Sequence, residues 1–447
     1  MATHRRRNKT MSTKLDRIAE LAREDRQKRF FSIAHLITEE ALHRAFKSLR
    51  KDAGAGVDGI TYREYEGNLT ENIQLLHERL REKRYRAQPL RRTYIPKEGG
   101  KRRPISIPVL EDKIVQKAMV TLLNAIYEQD FLECSYGFRQ GRSQHDALDR
   151  IAEVICRRGV THVLEVDITG YFDAIVREQL MEMIEKRVTD GSILRLIRKW
   201  INVGIVDGNE FLQPETGTGQ GQVISPLLSN IYLHYALDVW FEETVKPRLD
   251  GETFLVRWAD DFIICFQNQR DAERVQAVLP KRLGRFGLTI HPEKTRLIEF
   301  GRKALQKASG PEGRKPDTFD FLGFTHVGAW SRKGRFTIHL RTMRKRLRRS
   351  LRSISDWCRK HRHLPVEKQR EAINMRLRGH YQYYGRPTNY RSLWRFHRCV
   401  RRIWKKWLNR RTRGKTINWT VFAQICTRYP LLPPRIMRSW SFSGSHA

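Results

Sequence analysis

The stretch Thr253–Phe266, TFLVRWADDFIICF, decides how this chain folds. Two short runs rich in aromatic and β-branched residues flank an Ala-Asp-Asp step, which predicts two strands folded back about Ala259, Asp260 and Asp261. An Asp-Asp pair is also what turn propensity alone produces. A second acidic strand end lies upstream, where His162–Ile168 (HVLEVDI) alternates apolar and polar residues up to Asp167. Carboxylates brought together at strand ends repel one another. The usual relief is a hard divalent cation that takes oxygen ligands.

Around these strands the chain also carries helical periods, such as Ile114, Val115, Ala118, Met119 and Leu122, so the class expected is α+β. The 447 residues are long enough for about three domains. Lys and Arg number 86 against 49 Asp and Glu, a formal charge of +37, which excludes an acidic disordered protein and a typical neutral metabolic enzyme. Such a charge is best screened by a polyanion, with nucleic acid ahead of an anionic membrane surface. No apolar run approaches the ~18 residues of a membrane span, and Met-Ala-Thr-His-Arg-Arg-Arg is not followed by an apolar signal core, so no membrane partner and a cytoplasmic location are expected. Six cysteines lie far apart with no C-x-x-C pair, the pattern of reduced thiols and not of disulfides or a zinc ribbon.

The charge is unevenly spread. From residue 331 onward there are 32 Lys and Arg and three acids (Asp356, Glu367, Glu371), so this last quarter holds +29 of the +37. Gly301–Pro316, just before it, reads as an exposed polar loop. Met343, Leu347, Leu351, Ile354 and Cys358 recur at spacings of 4, 4, 3 and 4, with Arg344, Lys345, Arg348 and Arg349 on the other faces of a predicted amphipathic helix. Leu393 through Trp407 predicts a second. With few acids to pair, these cations point to an anionic partner.

Seven segments then stand in an order that resembles the reverse transcriptase encoded by bacterial group II introns. They are R-x-x-x-I-P-K-x-x-G-x-x-R-P (Arg91–Pro104), Y-G-F-R-x-G-R-S (Tyr136–Ser143), D-I-x-x-Y-F-D (Asp167–Asp173), G-T-G-Q-G-x-x-I-S-P-L (Gly217–Leu227), R-W-A-D-D-F (Arg257–Phe262), H-P-x-K-T (His291–Thr295) and F-L-G-F (Phe321–Phe324). The resemblance runs from about Ala34 to Arg438. It implies a right-hand polymerase fold: a basic segment and N-terminal extension over 1–65, fingers and palm over 66–330, and a helical thumb or maturase (X) domain over 331–447.

The activity implied is RNA-directed DNA synthesis by two-metal phosphoryl transfer, with Asp167, Asp260, Asp261 and the Ile168 backbone carbonyl holding two Mg²⁺. Lys97 and Arg103 would contact the incoming deoxynucleoside triphosphate, although solvated turn charges read the same way. Phe172 matches the family's aromatic that excludes a ribose 2′-hydroxyl; as an isolated aromatic it reads more often as core. Gln220 and Gly221 would approach the template, and Lys294 would stand near the leaving pyrophosphate. The chain departs from the commoner G-T-P-Q-G-G at Gly219 and Gln222, and has Trp258 where the family usually has Tyr.

Arg378, Trp404 and the four cations Arg344, Lys345, Arg348 and Arg349 would bind RNA. The implied partners are group II intron RNA, an RNA template with its DNA primer, and target DNA. The H-N-H endonuclease with paired C-x-x-C ligands that many relatives carry is not found in this sequence, so second-strand cleavage is not expected. A freestanding relative in DNA repair or antiviral defence, or a splicing factor without polymerase activity, remains the alternative. Oligomeric state is not encoded legibly.

Overall fold

The computed structural model describes residues 2–96, 102–308, 313, 316–412 and 417–439. Helices Ala2–Glu24, Glu39–Ser48, Tyr62–Gly67 and Leu69–Arg81 come first, followed by β1 (Leu90–Pro96), β2 (Arg102–Ile107), helix Leu110–Asp130, helix Gln144–Arg157 and β3 (His162–Val166). After three helices come β4 (Ile205–Asp207) and β5 (Glu210–Leu212), then helix Ser225–Leu233, which runs on through π-helical turns to Val245. Next are β6 (Thr253–Trp258), β7 (Asp261–Phe266), helix Gln269–Gly284, β8 (Arg296–Glu299), β9 (Thr318–Phe321), β10 (Phe324–Trp330) and β11 (Phe336–Thr342). Helices Arg344–Lys360, Val366–Tyr384, Tyr390–Asn409 and Trp419–Arg428 complete it. The fold is mixed α and β, as expected.

The strands make three sheets, ordered β2-β1-β4-β5, β6-β7-β3-β8 and β11-β10-β9. The central one, β6-β7-β3-β8, is antiparallel throughout and separates two apolar cores. Phe262, Ile264 and Phe266 of β7 enter the first core, with the N-terminal helices and Leu110–Asp130, while Ile263 and Cys265 enter the second. Alternate side chains of one strand thus serve opposite sides of a sheet, which is why FIICF is apolar without interruption. The second core takes in Gln144–Arg157, the third sheet and the apolar stripes of the basic helices, Leu347, Ile354 and Cys358 among them. Both predicted amphipathic helices are present.

Two buried polar groups tie the early helices to the middle of the chain. Asp190 caps helix Gly191–Ile201 through the N–H groups of Ser192 and Ile193, and its other oxygen accepts from Ile33 and Ala34 N–H, both at 2.8 Å. Arg187 donates to the carbonyls of Ala22, Asp25 and Lys28 and pairs with Asp130 at 2.9 Å. Unpaired donors at these depths would be costly, so the contacts specify how the N-terminal segment docks.

Two expectations change. The segment read as an exposed loop over Gly301–Pro316 contains a helix, Arg302–Ala308, because Leu305 finds a place in the second core. The boundary expected at residue 331, where the charge steps, falls in the turn between β10 and β11, inside a hairpin. Among the described residues, no helix is long and apolar enough to cross a membrane.

Candidate active site

Strand register brings the acidic strand ends together. Val166 pairs with Phe262 across β3 and β7, so Asp167 and Asp261, one step outward on each strand, emerge side by side at the same sheet edge. Trp258 pairs with Asp261 as the last rung of the β6–β7 hairpin, leaving Ala259 and Asp260 as its two-residue tip. Ala259 takes a left-handed backbone, φ +55°, at the first tip position, where glycine is the usual occupant. Such a conformation needs support from its surroundings.

That support is Arg257. The side chain is fully buried and donates to both oxygens of buried Asp238 at 2.7 and 2.5 Å. It also donates to Asn230 Oδ1 at 3.1 Å, to Ser135 Oγ at 2.8 Å and to the carbonyl of Ala259 at 3.0 Å. Asn230 in turn donates to the carbonyl of Gly137 at 2.7 Å. Gly137 lies so close beneath the tip that a Cβ there would stand 2.4 Å from the Ala259 nitrogen, which is why Y-G-F-R carries a glycine. Neither Arg257 nor Asp238 stood out as functional in the sequence. The signal was there: an arginine inside TFLVRW and an aspartate inside HYALDVW are charges in apolar runs, and such charges fold only if paired.

The carboxylates feel one another. Removal from water, then the neighbours Asp260 and Asp167, push Asp261 up to about 6, although its side chain also opens on the solvent of the cleft. Desolvation and Asp167 raise Asp260 as well, while Arg103 on β2 and Arg257 work the other way. Lys294 Nζ sits 2.6 Å from Asp167 Oδ2 and supplies one countercharge. The strand end is held by His291, whose N–H donates to the Asp167 carbonyl at 2.8 Å, and by a bridge from Ile168 to Ile290. Among the described residues, no three His, Cys, Asp or Glu side chains are drawn into a closed metal-binding cluster. The donor set nevertheless fits a hard cation: all-oxygen, crowded with negative charge and open on one side.

A cleft of about 1190 Å³ runs from this edge, past Trp258 and Lys294, to the basic helices. Its far wall is Lys345, Arg346, Arg349 and Arg376, and Arg346 is near enough to act on Asp261. The cations expected to bind RNA therefore divide. Lys345 and Arg349 line the cleft; Arg344, Arg348 and Arg378 are exposed outside it. Arg346 was missed because a helix basic on nearly every face gives no sign of which face meets the sheet, and Arg376 because only tertiary packing brings helix Val366–Tyr384 to the cleft. Trp404 requires correction. It is fully buried, with its indole N–H donating to Gln369 Oε1 at 3.1 Å, so it is core and no stacking surface.

The remaining candidates gather at the first sheet. Phe172 is half-buried and edge-on to Tyr171, with ring centroids 5.5 Å apart, and its carbonyl accepts from Thr218 N–H at 3.1 Å. Gln220 lines a smaller cavity of about 260 Å³, and its carbonyl accepts from Ser106 N–H at 2.7 Å, which lays Gly221 against β2. Arg103 is exposed on β2 opposite Ile95. Lys97 lies outside the described residues.

The model of one family, "Reverse transcriptase (RNA-dependent DNA polymerase)", matches residues 95–326, just over half of the 447. The chain belongs to that family. All seven motifs but the first few residues of the earliest fall inside the matched span. Protein YkfC of Escherichia coli K12 is 36% identical over 250 residues, covering 54% of this chain and 64% of that protein. Group II intron-encoded protein LtrA of Lactococcus lactis is 34% identical over 241 residues, covering 54% and 40%. A 91 kDa protein encoded in the cob intron of Schizosaccharomyces pombe is 32% identical over 255 residues, covering 55% and 30%. The likeness to intron-encoded proteins read from the motifs is thus borne out, and in each case about half of the chain is matched. The family generally uses divalent metals, in keeping with the three carboxylates.

Proposed function

We propose that the chain is an RNA-directed DNA polymerase of the group II intron-encoded kind, in which the central sheet is the palm, the first sheet the fingers and the basic helices the thumb. The observation that carries this is the meeting of Asp167 and Asp261 at one sheet edge beside Asp260, facing a cleft whose opposite wall is cationic. Two Mg²⁺ held by Asp167, Asp260, Asp261 and the Ile168 carbonyl would supply the Lewis acidity that activates a primer 3′-hydroxyl and neutralises departing pyrophosphate.

The chain's own residues do the rest. Arg257 and Gly137 keep the Asp260 tip in place, so that the carboxylates are oriented before substrate arrives. Arg103 meets the triphosphate, Phe172 excludes a 2′-hydroxyl, and Gln220 hydrogen-bonds the template nucleotide. Lys294, leaving Asp167, is placed to give a proton to pyrophosphate. Lys345, Arg346 and Arg349 take the backbone phosphates of a template–primer duplex, while Arg344, Arg348 and Arg378 face outward toward folded intron RNA during splicing and integration at a DNA target. Extension of a DNA primer on an RNA template, dependent on Mg²⁺ and lost on chelation, tests the reading. No synthesis under any divalent metal would refute it.

A further inference from the structure

Behind the Gln220 loop lies a relay of two glutamines in which every hydrogen-bond direction is forced. Gln116, on helix Leu110–Asp130, and Gln222 are both buried, 0% and 3% exposed. Gln116 Oε1 accepts from the backbone N–H of Val223 at 2.9 Å and of Ile224 at 3.4 Å. Its Nε2 therefore points the other way and donates to Gln222 Oε1 at 2.8 Å. The Gln222 amide is left to donate, and does so to the carbonyls of Trp200 at 3.1 Å and Thr218 at 3.0 Å. Turning either amide over would set donor against donor or oxygen against oxygen.

The relay also fills space. Gly219 has φ +59°, and a Cβ there would lie 2.8 Å from Gln222 Nε2 and 2.8 Å from Leu90 Cδ1. The two departures from the commoner family motif are thus one feature: the Gln222 amide occupies the volume into which a side chain at 219 would project. Gln220 stands between them. Its backbone is fixed by Ser106 in front and by the relay behind, and among the described residues no hydrogen bond holds its own amide. That amide is the loop's available polar group, and where it stands depends on Gln116 and Gln222.

We infer that Gln116 and Gln222 are positioning residues that set the height and orientation of Gln220 toward the template nucleotide, and hence the discrimination between matched and mismatched deoxynucleotides. This rests on the polymerase reading and names the part of the chain that tunes its selectivity. Gln222→Met keeps the volume over Gly219 and removes the polar links. Gln222→Glu is nearly isosteric but sets an oxygen against two carbonyls.

Single-nucleotide extension, with active sites titrated, separates the roles. For Gln222→Met the KM for matched nucleotide should rise about tenfold and discrimination fall about tenfold, with kcat within about twofold, the scale of one or two lost hydrogen bonds. Gln222→Glu should exceed this. In the Gln220→Ala background Gln222→Met should add nothing further to KM or discrimination, because it acts through Gln220. Variants that lower only the melting temperature and the active fraction, at parental KM and discrimination, would overturn the inference, as would full additivity with Gln220→Ala. No synthesis by the parental chain would overturn the polymerase reading and the inference together.

Discussion

The Ala259-Asp260-Asp261 tip and the Arg344–Lys360 helix both crowd like charges together, and the molecule manages them in opposite ways. At the tip, the acids are backed by a fully buried Arg257–Asp238 pair and by a glycine pressed against the backbone, so the negative charge is fixed in position. On the helix, the cations surround a narrow apolar stripe of Leu347, Ile354 and Cys358, and the one acid, Asp356, reaches Arg359 only at 3.8 Å. A rigid, over-supported charge suits orientation of a reacting group, while a solvated set of cations suits grip on a long polyanion. Chemistry and grip thus lie in different parts of the molecule, and mutations should separate them.

Among the residues that support the two regions, the largest effect should come from Arg257→Met. Leaving Asp238 buried and alone should cost about 3–5 kcal/mol of stability. Arg257→Met with Asp238→Leu should recover much of that in thermal melts, yet synthesis should stay down at least about 10²-fold, because the Ala259 carbonyl loses its donor and the tip its place. Parental synthesis by the stable double variant would break the assignment of Arg257 as the tip's support.

Next come the two faces of the basic helix. Lys345→Ala with Arg349→Ala should weaken template–primer binding and flatten its log K against log salt slope by about 1.8 for two lost phosphate contacts. Arg344→Ala with Arg348→Ala should leave that slope unchanged and act on folded intron RNA instead. Equal effects of both pairs in both assays would mean that the cleft wall is not the duplex surface.

Phe172→Val should relax sugar selectivity roughly tenfold, read as the ratio of kcat/KM for deoxyribonucleotide over ribonucleotide. An unchanged ratio would return Phe172 to the core it half occupies.

The smallest effect is one of pH. Asp261 is raised to about 6 from the ordinary 3.8, so the folded chain holds that proton more tightly than the unfolded one, and stability is lost as pH rises through this window. In chelator at pH 8, Asp261→Asn should melt about 2–4 °C above the parent, a modest gain because the side chain faces solvent. Below pH 4 the difference should vanish, and Mg²⁺ should stabilise the parent and not the variant. A lower melting temperature for the variant at pH 8 would mean that the carboxylates are not in conflict.

The same contrast marks what the sequence could tell. The acidic ends were legible because strand alternation and a two-residue turn fix where Asp167, Asp260 and Asp261 point. The amphipathic helices were legible from their spacing. Which side of them meets the cleft was not, since Arg346 and Arg348 look alike until tertiary packing chooses between them. Trp404 misled for a related reason: flanking arginines suggest a wet surface, but the indole ring lies in the second core, paired with Gln369. Gln222 stood out only as a departure from the commoner motif, and Gln116, neutral and distant in sequence, gave no local signal. Their meaning lies wholly in a contact.

Asp260→Asn decides whether the acidic tip carries the chemistry and the basic wall only the grip. Template–primer affinity and the single-turnover rate of one-nucleotide addition would be measured on the same preparation with Mg²⁺. Affinity should stay within about twofold of the parent while the rate falls at least about 10³-fold, the loss of one ligand's stabilisation of the transition state. A rate near the parental value with intact binding would contradict it.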